Sequence, residues 1–420
     1  MIDRLIAFCL KNKYLVLLFT ALAVGWGVYA LTRIPLDAIP DLSDTQVIVF
    51  TEWPGRSPDL VEDQVSYPII SSLLAAPKVK TVRGYSMFGL SFVYVLFEDG
   101  TDIYWARSRV LEYMSKIQGR LPEGVIPTLG PDATGIGWVY QYVLEDTSGR
   151  HDLAELRGFQ DWYLRYWLES VEGVAEVASI GGFEKQYQIT VDPHRLLANR
   201  LTLQHVIMSI RRNNNDVGGR VVEMSGREYF IRGRGYIKNL DDIRMIGLGK
   251  DANGTPVYLK DVAEVAFGPD MRRGAADLDG EGEVVGGVVV MRYGENALKV
   301  IGRVKQKLKD VEPALPAGVK IKPVYDRSGI IKKSIATLTL TLFEEGLVVA
   351  LIIFLFLLQW RGALVAVITL PVAVLIAFIP MYYLGLSSNI MSLGGIAIAI
   401  GAMVDAAIVL VENVNKKLEH

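Results

Sequence analysis

The chain has 420 residues, 51% of them apolar, with 44 basic and 46 acidic side chains, and its mean hydropathy is +0.28. A net charge of -2 argues against a nucleic-acid binder built on a basic surface, and a charged fraction of 21% argues against disorder. One cysteine, Cys9, excludes a disulfide framework and a Cys-based zinc module.

In chain order, the first apolar run is Tyr14 to Leu31, uncharged and long enough to cross a bilayer of about 30 Å. It is too long for a cleaved signal peptide, and Thr32-Arg33-Ile34-Pro35 offers no small-x-small cleavage site. Globular residues follow. A strand is expected over Gln46 to Glu52, a helix opened by Ser57 as N-cap and Pro58 as first residue and running to Leu74, a hairpin of Val79 to Tyr85 with Ser91 to Phe97, and a helix from Asp102 to Leu121. A last strand of this set is expected near Gly137. The pattern then restarts with strand Gly137 to Leu144, helix Asp152 to Ser170 and strand Val174 to Ile180. After a break it is completed by strand Glu283 to Met291, helix Asn296 to Val311 and strand Val319 to Val324. Two split βαβ (ferredoxin-like) units, the second interrupted by an insertion at 182–269, are the economical parse. The insertion holds a hairpin, Val221 to Ile231, turning at Ser225-Gly226; it reads equally as a partner surface and as an ordinary surface hairpin.

Three further apolar runs close the chain: Gly346 to Trp360, extended back toward Ile335, then Leu364 to Leu386 and Ile390 to Val411. Trp360-Arg361-Gly362 is read as the turn between the first two. With four spans, Arg4, Lys11, Lys13, Arg361, Lys416 and Lys417 all fall on one face, so the positive-inside rule puts that face in the cytoplasm and the globular part outside. The expected fold class is therefore a membrane helical bundle of four transmembrane helices plus an α+β periplasmic domain. Its division is 1–34 (cytoplasmic N-terminus and first span), 35–136 (first subdomain), 137–181 with 270–328 (second subdomain), 182–269 (insertion) and 329–420 (spans two to four).

The residue singled out by chemistry is Asp405, inside the fourth run and roughly 6 Å from its middle. A carboxylate there costs about 2.5 to 3.5 kcal/mol on insertion scales, so it normally faces protein or a water path and has a function. Met391, Gly394, Ile398, Gly401, Ile408 and Glu412 share its helix face, and the glycines allow a second helix to approach. A satisfied, inert aspartate is the alternative. Glu344 and Glu345 enter the second run and could pass protons or cations, although interfacial acids are usually just solvated. The four histidines, His151, His194, His205 and His420, have no ligand spacing, and no phosphate-binding loop is present.

Leu36-Asp37-Ala38-Ile39-Pro40-Asp41, Thr51 to Asp59 and the whole fourth run resemble the resistance-nodulation-division (RND) superfamily, specifically its heavy-metal efflux pumps and, in pattern, their copper/silver branch. The resemblance covers essentially all 420 residues. It implies a proton-driven secondary transporter of the inner membrane, not an enzyme, with no resident cofactor. The globular part would be two porter subdomains with the insertion as a docking subdomain. Asp405, followed by Ala406 where the drug-efflux branch has a second acid, becomes the proton-relay residue. Met391, Met403 and Met271 match positions where copper/silver pumps place methionines, so the implied cargo is Cu(I) or Ag(I), for which thioethers are suitable ligands. Packing is the alternative reading of each methionine. Met391 and Met403 stand about 120° and roughly 18 Å apart on one helix, so they cannot share one ion. Leu410 stands where the copper pattern usually has a further methionine.

The implied partners are a periplasmic membrane-fusion adaptor, an outer-membrane channel, two further copies in a homotrimer, the lipid bilayer, and a C-terminal half of the pump, since repeat-built transporters place their sites between halves. The chain is thus expected to be one part of a pump. Rival readings are a divalent-cation (Zn/Co/Cd) pump of the same superfamily, a protein-export accessory, and a non-transporting periplasmic scaffold.

Overall fold

A computed structural model describes residues 8–9, 11–250, 254–272, 274–357 and 360–419; within the last three helices it describes the backbone and a part of the side chains. The chain divides into two compact units, one of 1–145, 164–179 and 286–420, the other of 146–163 and 180–285.

In the first unit, strand Gln46–Glu52 pairs antiparallel with Leu90–Phe97 over its whole length, with Val47 opposite Val95 and Val49 opposite Val93. The four-stranded sheet runs Val79–Met87, Leu90–Phe97, Gln46–Glu52, Thr128–Leu129. Alternation puts Val47, Val49, Val93, Val95 and Phe97 on one face, where they are buried against Val61, Val65, Ile69 and Leu73 from one helical segment and Ala106, Val110 and Met114 from another. The closing strand is Thr128–Leu129, short and well before the expected position near Gly137. Gly137 instead precedes Trp138–Asp146, which belongs to the second sheet.

Two other expectations change in detail. The helix after Pro58 is broken by a π-helical turn at Glu62–Ser66, and the helix after Asp152 by another at Gln160–Leu164. Ser57 occupies the N-cap position without a side-chain capping bond, and its side chain helps hold the Asp59 carboxyl below its ordinary pKa. Asp102 does cap its helix, accepting from the Trp105 amide at 2.8 Å.

The second sheet runs Val319–Asp326, Trp138–Asp146, Val285–Met291, Val174–Gly181. Counted along the chain, both sheets have the order 4-1-3-2. Val285–Met291 is buried at every residue, as a central strand covered on both faces must be. Gly286 and Gly287 make room for the fully buried Tyr142: a Cβ on Gly287 would lie 2.5 Å from its hydroxyl.

The other unit has its own core of Leu196, Val206, Ile243, Leu248, Leu259, Val262 and Val265. Lys185–Val191 pairs with Ala263–Pro269 at the two ends of the inserted segment. Its hairpin joins Val217–Met224 to Arg227–Gly233 across Ser225 (φ 54°) and Gly226 (φ 73°), two left-handed residues that give the tight turn matching strand twist. Every residue of both strands is exposed.

Four long helices belong to the first unit: Lys13–Arg33, Arg327–Leu357, Trp360–Tyr383 and Ile390–Glu419. Among the described residues one of them, Lys13–Arg33, is long and apolar enough to cross a membrane; Ile368–Tyr383 and Ile390–Met403 are shorter apolar stretches. Trp360-Arg361-Gly362, expected as a turn, is helical; residues 358–359 lie outside the described residues. Trp360–Tyr383 packs on both Lys13–Arg33 and Ile390–Glu419. Ala30, Ile34, Phe378 and Met381 form one cluster, and Leu370 with Ile400 the other. At Gly27 the first contact is so close that an added Cβ would sit 2.3 Å from the Leu375 carbonyl oxygen, whereas a Cβ on Gly25 meets nothing within 4 Å. Gly27→Ala should therefore destabilise the detergent-solubilised protein by about 1–3 kcal/mol while Gly25→Ala leaves it unchanged, as read by thermal melting. Equal melting temperatures for the two variants would contradict this packing.

Candidate functional site

The site is built where the last helix begins. Asn389 is its cap: its Oδ1 accepts from the amides of Met391 (2.9 Å) and Ser392 (3.0 Å), while its own amide donates to Ser392 Oγ at 2.8 Å. This reciprocal bonding satisfies donors that an open helix end would leave unpaired, and it fixes Met391 in the first turn. The residues just before it pair with the segment after the first helix. Ser388 donates to Pro35 O (2.9 Å), Asp37 to Ser388 O (3.1 Å) and Ile390 to Ala38 O (3.2 Å).

Asp37 then meets Arg327, the first residue of the helix Arg327–Leu357. The guanidinium Nη1 lies 3.4 and 3.5 Å from the two carboxylate oxygens, and Nη2 donates to Trp138 O at 3.0 Å. The two side chains are only 6% and 11% exposed. Burial pushes the Asp37 carboxyl above its ordinary value, and neither the Ala38 amide nor Arg327 fully reverses it. A buried pair of this kind costs desolvation that offsets much of its attraction.

A cavity of about 390 Å³ opens beside this junction, lined among others by Asp37, Asp41, Met291, Glu295, Asn389 and Met391. Asp41 is engaged within it, accepting from Thr134 Oγ1 at 2.7 Å.

The residues expected from sequence are placed as follows. Met391 is 72% exposed and borders the cavity. Met403, on the same helix, is half-buried against the Leu370–Ile400 cluster, where packing accounts for it. Met271 belongs to the other unit, is 66% exposed, and its amide donates to Asp270 Oδ1. Asp405 stands midway along Ile390–Glu419; its side chain lies outside the described residues. A Cβ on Gly394, Gly395 or Gly401 would meet nothing within 4 Å, so no described element fills the space those glycines leave. Glu344, exposed, and Glu345, whose side chain lies outside the described residues, sit in the middle turns of their helix. His205 bonds Leu248 O and His151 bonds Glu155. Among the described residues no group of three or more His, Cys, Asp or Glu side chains is placed to hold a metal ion.

The model of the AcrB/AcrD/AcrF family matches residues 5–420. The chain belongs to that family. Over all 420 residues this AcrB/AcrD/AcrF member is 53% identical to the cation efflux system protein CusA of Escherichia coli (strain K12) and 52% identical to the putative cation efflux system protein SilA of Salmonella typhimurium. It is 39% identical to the cobalt-zinc-cadmium resistance protein CzcA of Cupriavidus metallidurans. The chain spans about 40% of the length of each of these relatives. A crystal structure of a heavy metal efflux pump superposes on 98% of the chain and 41% of its own, with a TM-score of 0.86 at 32% identity.

The Asp37–Arg327 pair and the Asn389 cap were not picked out from sequence. Asp37 sits in the quoted Leu36 to Asp41 stretch, and Ser388-Asn389 before an apolar helix is a capping signal. Arg327 carries no local signal, because its partner is 290 residues away. Because the folded protein binds the Asp37 proton more tightly than the unfolded chain does, this group's stabilising contribution is present below its ordinary pKa and is lost as pH rises through the raised value. The melting temperature of the parent protein should therefore gain on that of Asp37→Asn as pH falls from 7 toward 4. A difference independent of pH would contradict it.

Proposed function

We propose that this family member works in proton-driven efflux of heavy-metal ions, with Cu(I) or Ag(I) as cargo, as part of the inner-membrane component of a tripartite pump in a Gram-negative envelope. The observation that carries this is the 53% identity, along the whole chain, to a cation efflux protein. The protein is then a secondary transporter and not an enzyme. The four long helices are read as membrane spans, with the loop 35–328 in the periplasm. The two 4-1-3-2 sheets support two split βαβ porter subdomains, at 35–136 and at 137–181 with 270–328; the segment 182–269 is the docking subdomain.

Asp405 is assigned as proton carrier. Its position midway along a 30-residue helix supports this, since a carboxylate in that setting is normally retained for function. The uncovered face at Gly394 and Gly401 supports a neighbouring helix from the remaining length that relatives have. Met391, Met403 and Met271 are assigned as successive thioether contacts for the cargo, each completed by a ligand elsewhere. The cargo follows from the softness of these groups and from the higher identity to CusA and SilA than to the cobalt-zinc-cadmium protein. The exposed hairpin, with Phe230 81%, Val217 62% and Met224 61% exposed, fits a subunit contact in a homotrimer. The docking subdomain would face the adaptor and the outer-membrane channel.

In a metal-sensitive strain carrying the complete reading frame, Asp405→Asn should abolish copper and silver tolerance with protein level unchanged. Met391→Ala and Met403→Ala should each weaken it. Full tolerance in Asp405→Asn, or tolerance to zinc and cobalt but not to copper or silver, would overturn this reading.

A further inference from the structure

A helix that carries a proton-binding residue can reach the neighbouring sheets through its packed sides and through whatever holds its end, and the structure makes the hold at its end explicit. Three backbone hydrogen bonds, from Ser388, Asp37 and Ile390, stitch the start of Ile390–Glu419 to residues 35–38. The parallel bridge Leu36–Ser388 lies within the same stitch. From that segment a side-chain link at Asp37 leads onward, a few residues before the Asp41–Thr134 hydrogen bond. Asp37 grips one prong of Arg327, and the other prong reaches the carbonyl of Trp138, the first residue of a strand in the second sheet.

Arg327 is also covalently continuous with that sheet, because it follows Asp326, the last residue of Val319–Asp326. Asp326 is itself held by Lys305 and accepts from the Ser328 amide (3.0 Å) and hydroxyl (2.6 Å), so this end of the strand does not yield freely. Arg327 thus stands where the second sheet, the helix Arg327–Leu357 and the segment leading to the Asp405 helix meet. Both side chains are largely buried, at 6% and 11% exposed, with Asp37 at the edge of the cavity. The planar fork presents its two contacts in a fixed relation, which a lysine cannot reproduce.

We propose that Asp37 and Arg327 are positioning residues for transport: their pair is the joint that delivers displacement of the Asp405 helix to the sheet containing Val319–Asp326 and Trp138–Asp146. This rests on the proton-driven reading above. A helix keeps its rise of about 1.5 Å per residue under load, so a shift near Asp405 arrives at Ser388 largely undiminished. From there it passes through Asp37 to Arg327 and is divided between the Trp138 strand and the helix Arg327–Leu357. The two-pronged geometry of Arg327, with one contact to each side of the joint, fits this role.

The test uses the complete pump in proteoliposomes with an imposed pH gradient, following Ag⁺ flux, Ag⁺ binding and melting temperature. The variants are Asp37→Asn combined with Arg327→Gln, which leaves no lone charge, and Arg327→Lys, which keeps the charge and loses the second prong. Both should cut Ag⁺ flux by roughly tenfold or more, with Ag⁺ affinity and melting temperature near those of the parent. Asp405→Asn serves as the reference for the underlying reading and should be inactive. If both joint variants transport at the parent rate while Asp405→Asn is inactive, the joint is overturned and the proton-driven reading stands. If both lose Ag⁺ binding or melt early, the pair is merely structural and the proposal also fails. If Asp405→Asn transports normally, the reading beneath the proposal falls and takes it along.

Discussion

The architecture turns on a buried guanidinium. Arg327 is the point at which a sheet strand becomes a long helix, and its two prongs tie that point to the Trp138 carbonyl and to Asp37. Asp37, through its backbone, reaches the capped start of the last helix. Remove the charge and Val319–Asp326 still runs on into Arg327–Leu357, but the side-chain ties from that vertex to Asp37 and to the Trp138 carbonyl are lost. Burial makes the vertex costly and also makes it specific, since few other arrangements satisfy both charges.

The helices around it are held by a different kind of contact. Small residues bring backbones together at Gly27 and Leu375, and apolar clusters at Ala30–Phe378 and Leu370–Ile400 fill the remaining space. Much of the outer surface stays apolar and exposed, with Leu17, Phe19, Leu22 and Trp26 on the first helix all more than half exposed. Such a surface suits a lipid environment or further helices far better than water. The open glycine face of the last helix is the same statement made next to Asp405.

Most secondary structure was legible because local signals and tertiary demands agreed. The strands at Gln46 to Glu52 and Ser91 to Phe97, the helices starting at Asp102 and Asn296, and the turn at Ser225-Gly226 were all read from local pattern, and all are so in the structure within a few residues. Disagreements fall where no local pattern decides. Thr128–Leu129 is too short to show alternation, the π turns at Glu62–Ser66 and Gln160–Leu164 leave the helical period almost intact, and the helical conformation of Trp360-Arg361-Gly362 was hidden because Arg361-Gly362 reads as a turn. At the candidate site, Asp405 stood out because a charge in an apolar run is locally anomalous. Arg327 did not, because a single arginine before a helix looks ordinary until its partner 290 residues away is brought beside it. The methionines were legible as candidates only; packing explains Met403 as well as ligation does, and Met391 borders a cavity.

The central claim is that protons drive a soft metal ion through a pump of which this chain forms a part. It is tested most directly by loading vesicles containing the complete protein with a pH-sensitive dye and adding Ag⁺ under an imposed proton gradient without nucleotide. The account predicts that Ag⁺ moves against its own gradient, that proton flux rises with it, and that a protonophore stops both. Metal movement that continues after the proton gradient is collapsed, or proton flux indifferent to Ag⁺, would contradict it.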